Sequence, residues 1–404
     1  MAYLSGTFYG DAKWIDNLVV RASYGLQGNI DKNTSPYLLG NYRIENILPG
    51  GSEDMIDVSG APNKKLRWEK THSVNAGFDF AVLNQAINLS VDYYYRKGVD
   101  LIGTQMLPLE TGFEMLTVNW ASMQNQGVEV ALSTRNIHTK NFMWTTNFNF
   151  AYNNNKILKE ALREDALEPG REGYPVGALF ALKTAGLDEE GYPMFEGKDG
   201  KAVSAMEFFK LQEWGFGATD LTARERRELY TYVGTADCPY TGGFNNTFTY
   251  KAFELGVNFD FGGKVRSQPT YSIVDFDKGR NTNRDILNRW TPENTETIFP
   301  VLLSQNERLD EYMWYSNQNE IYRNLDIWIR DLNYVRLQNI RLGYTLPTNF
   351  SRKLGMTSAT IAIEGRNLLV FGSSYKNYLD PETMSNAYAT PAPKSVTLSL
   401  NLNF

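Results

Sequence analysis

Apolar and polar residues alternate along at least ten segments of this chain, and the last segment is the most regular. From Ser395 to Phe404, apolar side chains stand at every second position, with hydroxyl and amide side chains between them. A period of two places the two sets on opposite faces of an extended strand. The pattern predicts a closing strand whose apolar face consists of Val396, Leu398, Leu400, Leu402 and Phe404.

Nine further segments show the same period, and together they predict an all-β protein. They lie at residues 16–25, 73–83, 87–96, 128–133, 142–150, 244–250, 253–262, 332–346 and 359–366. Between Leu337 and Ile340 the apolar positions slip by one residue, which a β-bulge would accommodate. About ten residues of a tilted strand cross the apolar part of a bilayer. We therefore predict an antiparallel, up-and-down transmembrane β-barrel sheet.

Short and long connections alternate between these strands. The short ones have the length of hairpin turns. The long ones are predicted near residues 26–66, 97–121, 154–241, 264–330 and 372–393. Outer-membrane barrels show this asymmetry, with short periplasmic turns and long outer loops. The alternation therefore predicts a multi-pass protein of the cell outer membrane, in contact with its lipid.

The two faces of the predicted strands differ as lipid and a wet lumen would require. One face is nearly free of charge, because a cation at the bilayer midplane costs about 2–4 kcal/mol. The other is rich in Asn, Ser, Thr and Gly, and its charges are predicted to face the lumen. These candidates are Arg21, Asp79, Asp92, Glu129, Asp260 and Arg341. Aromatic residues at the strand ends suit an interfacial belt, although an ordinary aromatic-rich sheet edge remains an alternative.

Composition limits the other functional classes. A net charge of -6 gives no basic footprint for nucleic acid, and a mean hydropathy of -0.41 excludes a helical membrane protein. One cysteine excludes a disulfide framework, and two distant histidines disfavour a metal site. Nucleophile, zinc-protease and phosphate-loop motifs are absent from the sequence. We predict no enzyme activity, no catalytic residue, no cofactor and no metal.

Aromatic residues in two long loops are the candidate contacts for a ligand or partner. The predicted set is Tyr312, Trp314, Tyr315, Tyr322 and Trp328, together with Trp214. Rings in loops could stack on sugars or pack against a partner protein. Tyr174, Phe180, Tyr192 and Phe195, again with Trp214, form a second group for which a small loop core is the favoured interpretation.

Several stretches together resemble the SusC/RagA family of TonB-dependent outer-membrane transporters. They are LVVRASYGLQGN at 18–29, LRWEKTHSVNAGFDF at 66–80, NQGVEVALSTRN at 125–136, GGFNNTFTYKAFELGVNFDF at 242–261, DLNYVRLQNIRLGYTLP at 331–347 and GRNLLVF at 365–371, with the closing aromatic strand. The resemblance implies a 22-stranded barrel with an N-terminal plug and import of oligosaccharides or peptides. It also implies TonB, a SusD-like surface lipoprotein and, through the last strand, the barrel-assembly machinery as partners.

Residues 1–404 are expected to be the C-terminal portion of such a barrel, with about ten strands and a stub in residues 2–9. The opening residues show no signal peptide. The plug and the TonB-contacting segment are therefore expected in a missing N-terminal part, and the chain alone is expected to form an open half-barrel. A receptor for a metal chelate or other cargo, and a secreted β-rich glycan-binding protein, remain alternatives.

Overall fold

Eleven antiparallel strands form one continuous sheet, which we call the wall. The computed structural model describes residues 2–4, 14–32, 34–48, 51–58, 61–113, 115–162, 164–212, 219–267, 284–302, 322–372, 380–382 and 390–404. In chain order the strands are β1 (Ala2–Leu4), β2 (Ile15–Asn29), β3 (Gly40–Leu48), β4 (Gly51–Val58), β5 (Glu69–Val82), β6 (Ile87–Met106), β7 (Met115–His138), β8 (Phe142–Lys159), β9 (Ala178–Leu182), β10 (Thr184–Leu187), β11 (Pro193–Glu196), β12 (Ala202–Val203), β13 (Tyr230–Thr235), β14 (Tyr240–Tyr250), β15 (Phe253–Gly263), β16 (Val265–Ser267), β17 (Ile329–Asp331), β18 (Tyr334–Thr345), β19 (Ser358–Phe371) and β20 (Ser395–Asn403). The wall runs β1-β2-β5-β6-β7-β8-β14-β15-β18-β19-β20.

The wall confirms the ten predicted strands and the short strand before them. β1 pairs with β2 through Ala2–Leu4, within the predicted stub. Each later wall strand pairs with the next along the chain, which is an up-and-down meander. Within the described ranges β1 and β20 do not pair with each other, so the sheet is open, as expected.

The predicted phase slip is a β-bulge in β18. The adjacent residues Asn258 and Phe259 of β15 pair with Asn339 and Leu337 of β18, so Gln338 is the extra residue. The register between β18 and β19 shifts at the same place, between Leu337 and Asn339. One extra residue therefore lets the apolar positions on both sides of Gln338 keep to one face.

β6, β7 and β8 extend furthest beyond the ends that their periodicity predicted. β6 and β7 stay paired out to Met106 and Met115, so most of the segment predicted as a loop at 97–121 is a pair of strands. β8 also continues to Lys159. A tilted strand of about ten residues crosses the apolar band, so the outer parts of these strands project beyond it.

One hairpin and a folded unit stand at the end of the wall that carries the long connections. β3 and β4 form a separate hairpin between β2 and β5. The folded unit, which we call the loop domain, comprises residues 172–212, 219–235, 265–267, 284–302 and 322–332. It contains the β9–β13, β16–β17 and β10–β11–β12 sheets, and its helices are α1 (Ala205–Phe208) and α2 (Ala223–Glu228). A third helix, α3 (Thr348–Lys353), lies in the turn between β18 and β19.

The described helices are short. None of them has the length and apolar character needed to cross a membrane.

Candidate functional site

An ion-pair network lies on the polar face of the first strands of the wall. Arg21 on β2 forms an ion pair with Asp79 on β5, and its second terminal nitrogen lies 2.9 Å from Asp92 on β6. Ser90 donates a hydrogen bond of 2.7 Å to Asp79. The network therefore joins three neighbouring strands and contains three of the predicted lumen-facing residues.

A polar groove continues from this network across β6, β7 and β8. Its cavity has a volume of about 260 Å³ and is lined by Ser90, Asp92, Glu129 and Asn149 among others. Glu129 pairs with Asp92 across β6 and β7, so two carboxylates stand side by side. Arg21 bonds Asp92 from β2 but does not line the groove, whose ionisable groups are the Asp92 and Glu129 carboxylates. These carboxylates suit donors such as hydroxyl, amide and ammonium groups.

Amide side chains continue the polar face toward the outer end of the wall. The Tyr94 ring lies over Gly127 and its hydroxyl donates 2.9 Å to the Asn153 side chain. Asn155 donates 2.8 Å to Asn125 and accepts from the backbone N–H of Val176. This second contact attaches the start of the loop domain to the polar face of β8.

The remaining two predicted lumen-facing residues lie on β15 and β18, far apart along the strands. Arg341 bonds Glu254 at 2.9 Å near the short turn. Asp260 pairs in register with Arg336 near the long-loop end. The structure thus brings four of the six candidates into one region and places these two elsewhere. Their exposure to a lumen stays a prediction.

Arg336 anchors the connection between β19 and β20. Its guanidinium forms an ion pair with Asp380 and approaches Glu382 at 3.1 Å. The Arg336 and Asp380 side chains are only 2% and 5% exposed. Asp380 also accepts hydrogen bonds from the backbone N–H groups of Glu382 and Ala392. One buried carboxylate therefore holds two parts of this connection against the polar face of β18.

The Asp380 carboxylate is kept ionised by these donors. Burial raises the pKa of Asp380. The Arg336 guanidinium and the backbone N–H groups of Glu382 and Ala392 lower this pKa by more than burial raises it, so the net shift is downward. Tyr334 adds a hydrogen bond of 2.7 Å to Glu382. This anchor was not predicted from the sequence. Arg336 does occupy a polar-face position, but its partner lies in an aperiodic segment.

The aromatic residues predicted to contact a ligand form the core of the loop domain where the structure describes them. Trp328 is 0% exposed and Tyr322 is also buried, and their rings pack edge to face at 5.2 Å. The core also contains Leu182, Tyr192, Phe195, Ala205, Phe209 and Leu325. Burial leaves Tyr322 and Trp328 no surface for a ligand, so their proposed contact role is corrected. Tyr312, Trp314, Tyr315 and Trp214 lie outside the described residues.

The second aromatic group divides between core and surface. Tyr192 and Phe195 are buried in the loop domain, as the favoured interpretation predicted. Tyr174 instead packs against Phe180 and Tyr232, with ring centroids 5.2 and 4.8 Å away. Tyr174 and Tyr232 keep exposed ring surface. This trio is a candidate stacking surface beside the attachment of the loop domain to β8.

A cleft in the loop domain completes the candidate surfaces. It has a volume of about 510 Å³ and lies between β11, β12, α1 and α2. Phe208 and Leu229 contribute apolar surface, while Lys183 and Glu196 pair at 2.6 Å on its edge. Within the described ranges, His, Cys, Asp and Glu side chains form no metal-binding group.

The closing strand pairs with β19 along its whole length. Ile361 opposes Leu400 and Ile363 opposes Leu398 on one face. The predicted apolar residues Val396, Leu398, Leu400, Leu402 and Phe404 are all exposed. Their free surface is what lipid contact on that face requires.

Comparison with known proteins identifies a family and relatives that share this sequence pattern. Residues 4–368 match the family model described as "TonB dependent receptor-like, beta-barrel". The chain is 28% identical to "TonB-dependent receptor P3" of Formosa agariphila, over 98% of this chain and 40% of that protein. It is 26% identical to "TonB-dependent receptor SusC" of Bacteroides thetaiotaomicron, over 98% of this chain and 38% of that protein.

A solved structure shows the same fold. The "RagAB peptide transporter" structure superposes with a TM-score of 0.72 at 23% identity, covering 98% of this chain and 42% of that one. The chain spans about two fifths of the length of the curated relatives it matches. The family match over most of the chain confirms the resemblance seen in its sequence, and the chain belongs to the TonB-dependent receptor β-barrel family.

Proposed function

We propose that this chain supplies strands and outer loops of a TonB-dependent importer of oligosaccharides or peptides. The family is one of outer-membrane barrels, so the wall lies in that membrane. The observation that carries the proposal is the polar face, where Arg21, Asp79 and Asp92 form a hydrogen-bonded network opposite an apolar face. Such a division provides lipid contact on one side and a hydrated path on the other.

The chemistry of the polar face supports a hydrophilic cargo. The groove beside Glu129 combines carboxylate and amide groups, which can accept and donate hydrogen bonds. Oligosaccharides present many hydroxyl groups, and peptides present many amides. Both cargo classes therefore suit this face. A metal chelate or another cargo remains the second candidate.

The partners belong to the same proposal. A SusD-like lipoprotein would cover the outer loops, and TonB would act through a plug outside this chain. The barrel-assembly machinery would recognise β20. We propose no enzymatic role, because transport by this family's architecture needs binding and movement rather than bond cleavage.

Uptake by cells that lack the gene tests the proposal. Labelled oligosaccharide, peptide and ferric chelate mixtures would be offered separately to the wild type, the deletion strain and the complemented strain. We expect the deletion to abolish uptake of an oligosaccharide or peptide class, and a protonophore to abolish it in the wild type. Unchanged uptake of all three mixtures, or uptake that resists the protonophore, would contradict the proposal.

A further inference from the structure

A row of basic and amide side chains crosses the outer part of the wall from β5 to β8. His72 pairs in register with Lys97, Lys97 with Gln124, and Gln124 with Lys156. Residues that pair directly across neighbouring strands project from the same face. We call His72, Lys97, Gln124 and Lys156 the basic row.

Side-chain contacts place the basic row on the apolar face. The Tyr95 hydroxyl donates a hydrogen bond of 3.4 Å to Gln124, and the Tyr24 hydroxyl lies 2.9 Å from Nδ1 of His72. Tyr95 pairs in register with Val74, two positions from His72. Asp92 lies at the opposite parity on β6 and belongs to the polar face. The basic row therefore faces lipid rather than the lumen.

The height of the basic row corresponds to the outer headgroups. Lys97 lies about ten residues beyond Ile87, at the short-turn end of β6. About ten residues of a tilted strand span the roughly 25 Å apolar band. Tyr93 and Tyr95 stand just below Lys97, and such rings settle at the interface between acyl chains and headgroups. Lys97 and Lys156 thus emerge at or above the outer edge of the apolar band.

The two lysines of the basic row carry uncompensated charge. No carboxylate of the described residues forms an ion pair with Lys97 or Lys156. Lys70, two residues further out than His72 on β5, does have a partner, because its Nζ lies 3.4 Å from the Asp100 carboxylate. Since Lys97 and Lys156 are two strands apart, their backbones lie about 10 Å from each other. Their flexible stems can therefore bring both ammonium groups to one anion.

We propose that the basic row binds a phosphate group of an outer-leaflet lipid, with the acyl chains along the apolar face below it. A phosphate provides the negative charge that two free lysines require, and Gln124 and His72 can add hydrogen bonds. The tyrosines below pack against the region where headgroup and acyl chain meet. This role is independent of the cargo and would hold for either proposed cargo class.

Binding of lipopolysaccharide to the full-length protein in detergent tests the proposal. Its lipid part carries phosphate and occupies the outer leaflet. We expect the double variant Lys97→Gln/Lys156→Gln to bind about thirtyfold more weakly, because each lysine near a lipid phosphate contributes about a factor of five. The Lys97→Arg/Lys156→Arg variant should keep wild-type affinity. Retained lipid phosphate after gel filtration gives a second readout.

A matched control uses lysines at the other end of the wall. Lys140→Gln/Lys251→Gln removes the same charge from two short turns and should leave the affinity unchanged. Dephosphorylated lipopolysaccharide should bind the wild type as weakly as native lipopolysaccharide binds the double glutamine variant. Equal binding by that variant and the wild type would overturn the proposal. Inorganic phosphate should not compete at millimolar concentration, and competition by it would identify a free anion as the ligand and overturn the assignment to a lipid.

Discussion

The wall and the loop domain use the same types of residue in opposite ways. In the wall, apolar side chains such as Leu398 stand 76% exposed on one face, while Arg21 and Asp79 pair on the other. In the loop domain, Phe195 and Trp328 are buried, and the pair of Lys183 with Glu196 lies on the edge of a cleft. The wall places apolar and polar side chains on opposite faces, as lipid on one side and water on the other would require, whereas the loop domain buries its apolar side chains in a core of its own.

This difference determines how each region is held together. Backbone hydrogen bonds between neighbouring strands form the wall, and each strand needs only the next one along the chain. The core of the loop domain instead brings Leu182 and Phe195 together with Trp328, which is more than 130 positions away. Removing a core residue should therefore unfold the loop domain without opening the wall.

Trp328→Ala gives the largest expected separation between the two regions. Loss of a buried Trp costs about 3–5 kcal/mol, and the hydrogen bond of 2.9 Å from its indole to the Tyr322 carbonyl is lost as well. Hydrogen exchange should show lost protection at β9 and β13, with protection of β14 and β15 kept. The matched control is Trp68→Ala, because the Trp68 side chain is 59% exposed. This variant should leave hydrogen-exchange protection unchanged in both regions. Parallel loss of protection in both regions would contradict the separation.

The sequence predicted the wall because lipid imposes a local rule. Every second residue must be apolar, so Ser395 to Phe404 can be interpreted without knowing its neighbours. Even the bulge at Gln338 was visible as a slip in phase. The outward extensions of β6 and β7 were missed, because above the bilayer the strands no longer need a continuous apolar face. Their pairing there depends on the partner strand, which a local pattern does not show.

Arg336→Met should have the second largest effect, at the junction between the wall and its last outer connection. The substitution leaves Asp380 buried without its counter-charge, which costs about 3 kcal/mol. We expect faster proteolysis within residues 372–394, detected by mass spectrometry of the fragments. Adding Asp380→Asn to Arg336→Met should restore part of the resistance, because the buried Asp380 charge that Arg336 balances is then removed as well.

A control for the anchor lies on the same strand. Arg341→Met removes an exposed pair with Glu254, which contributes at most about 1 kcal/mol. Proteolysis of the last connection should not change in this variant. If Arg341→Met and Arg336→Met accelerate cleavage equally, burial at Arg336 does not control the attachment.

Gly127→Val should disturb the wall by a smaller amount. A Cβ at Gly127 would meet the Tyr152 carbonyl oxygen and, at 2.6 Å, the Tyr94 hydroxyl. Overpacking of this kind costs about 1–3 kcal/mol. The temperature at which the folded barrel loses its heat-modifiable migration in gels should fall. Gly256→Val is the matched control, because a Cβ there has no heavy atom within 4 Å, and it should leave that temperature unchanged or higher.

The candidate site was less predictable from sequence than the wall. Arg21, Asp79 and Asp92 could be placed on the polar face by parity alone, and the structure joins them. Tyr322 and Trp328 were assigned to a contact surface because they lie in a loop without period. That inference was wrong for these two rings, since a long connection can bury aromatic residues in a core of its own. Sequence parity identifies faces, but it does not identify partners that are distant along the chain.

The smallest predicted effect concerns the cap of α2 in the loop domain. Thr222 accepts a hydrogen bond of 3.3 Å from the Glu225 backbone N–H, and its own N–H and hydroxyl donate to the Glu225 carboxylate. Thr222→Ala should cost about 1 kcal/mol, measured by hydrogen exchange of the α2 amides. The backbone N–H and the hydroxyl of Thr222 lower the pKa of Glu225.

The lowered pKa makes this effect depend on pH in a defined direction. A carboxyl whose pKa is lower in the folded state stabilises that state above its ordinary value and loses the contribution as the pH falls through the lowered value. The difference in α2 amide protection between the wild type and Thr222→Ala should therefore become smaller as the pH falls below the ordinary pKa of a glutamate. Ser204→Ala removes the cap of α1, where Ser204 accepts from the Glu207 N–H at 3.3 Å without a reciprocal carboxylate contact. The loss of α1 amide protection in Ser204→Ala should stay constant over the same pH range. If the effects of both variants become smaller in parallel, the pH dependence belongs to the loop domain as a whole and not to the Thr222–Glu225 pair.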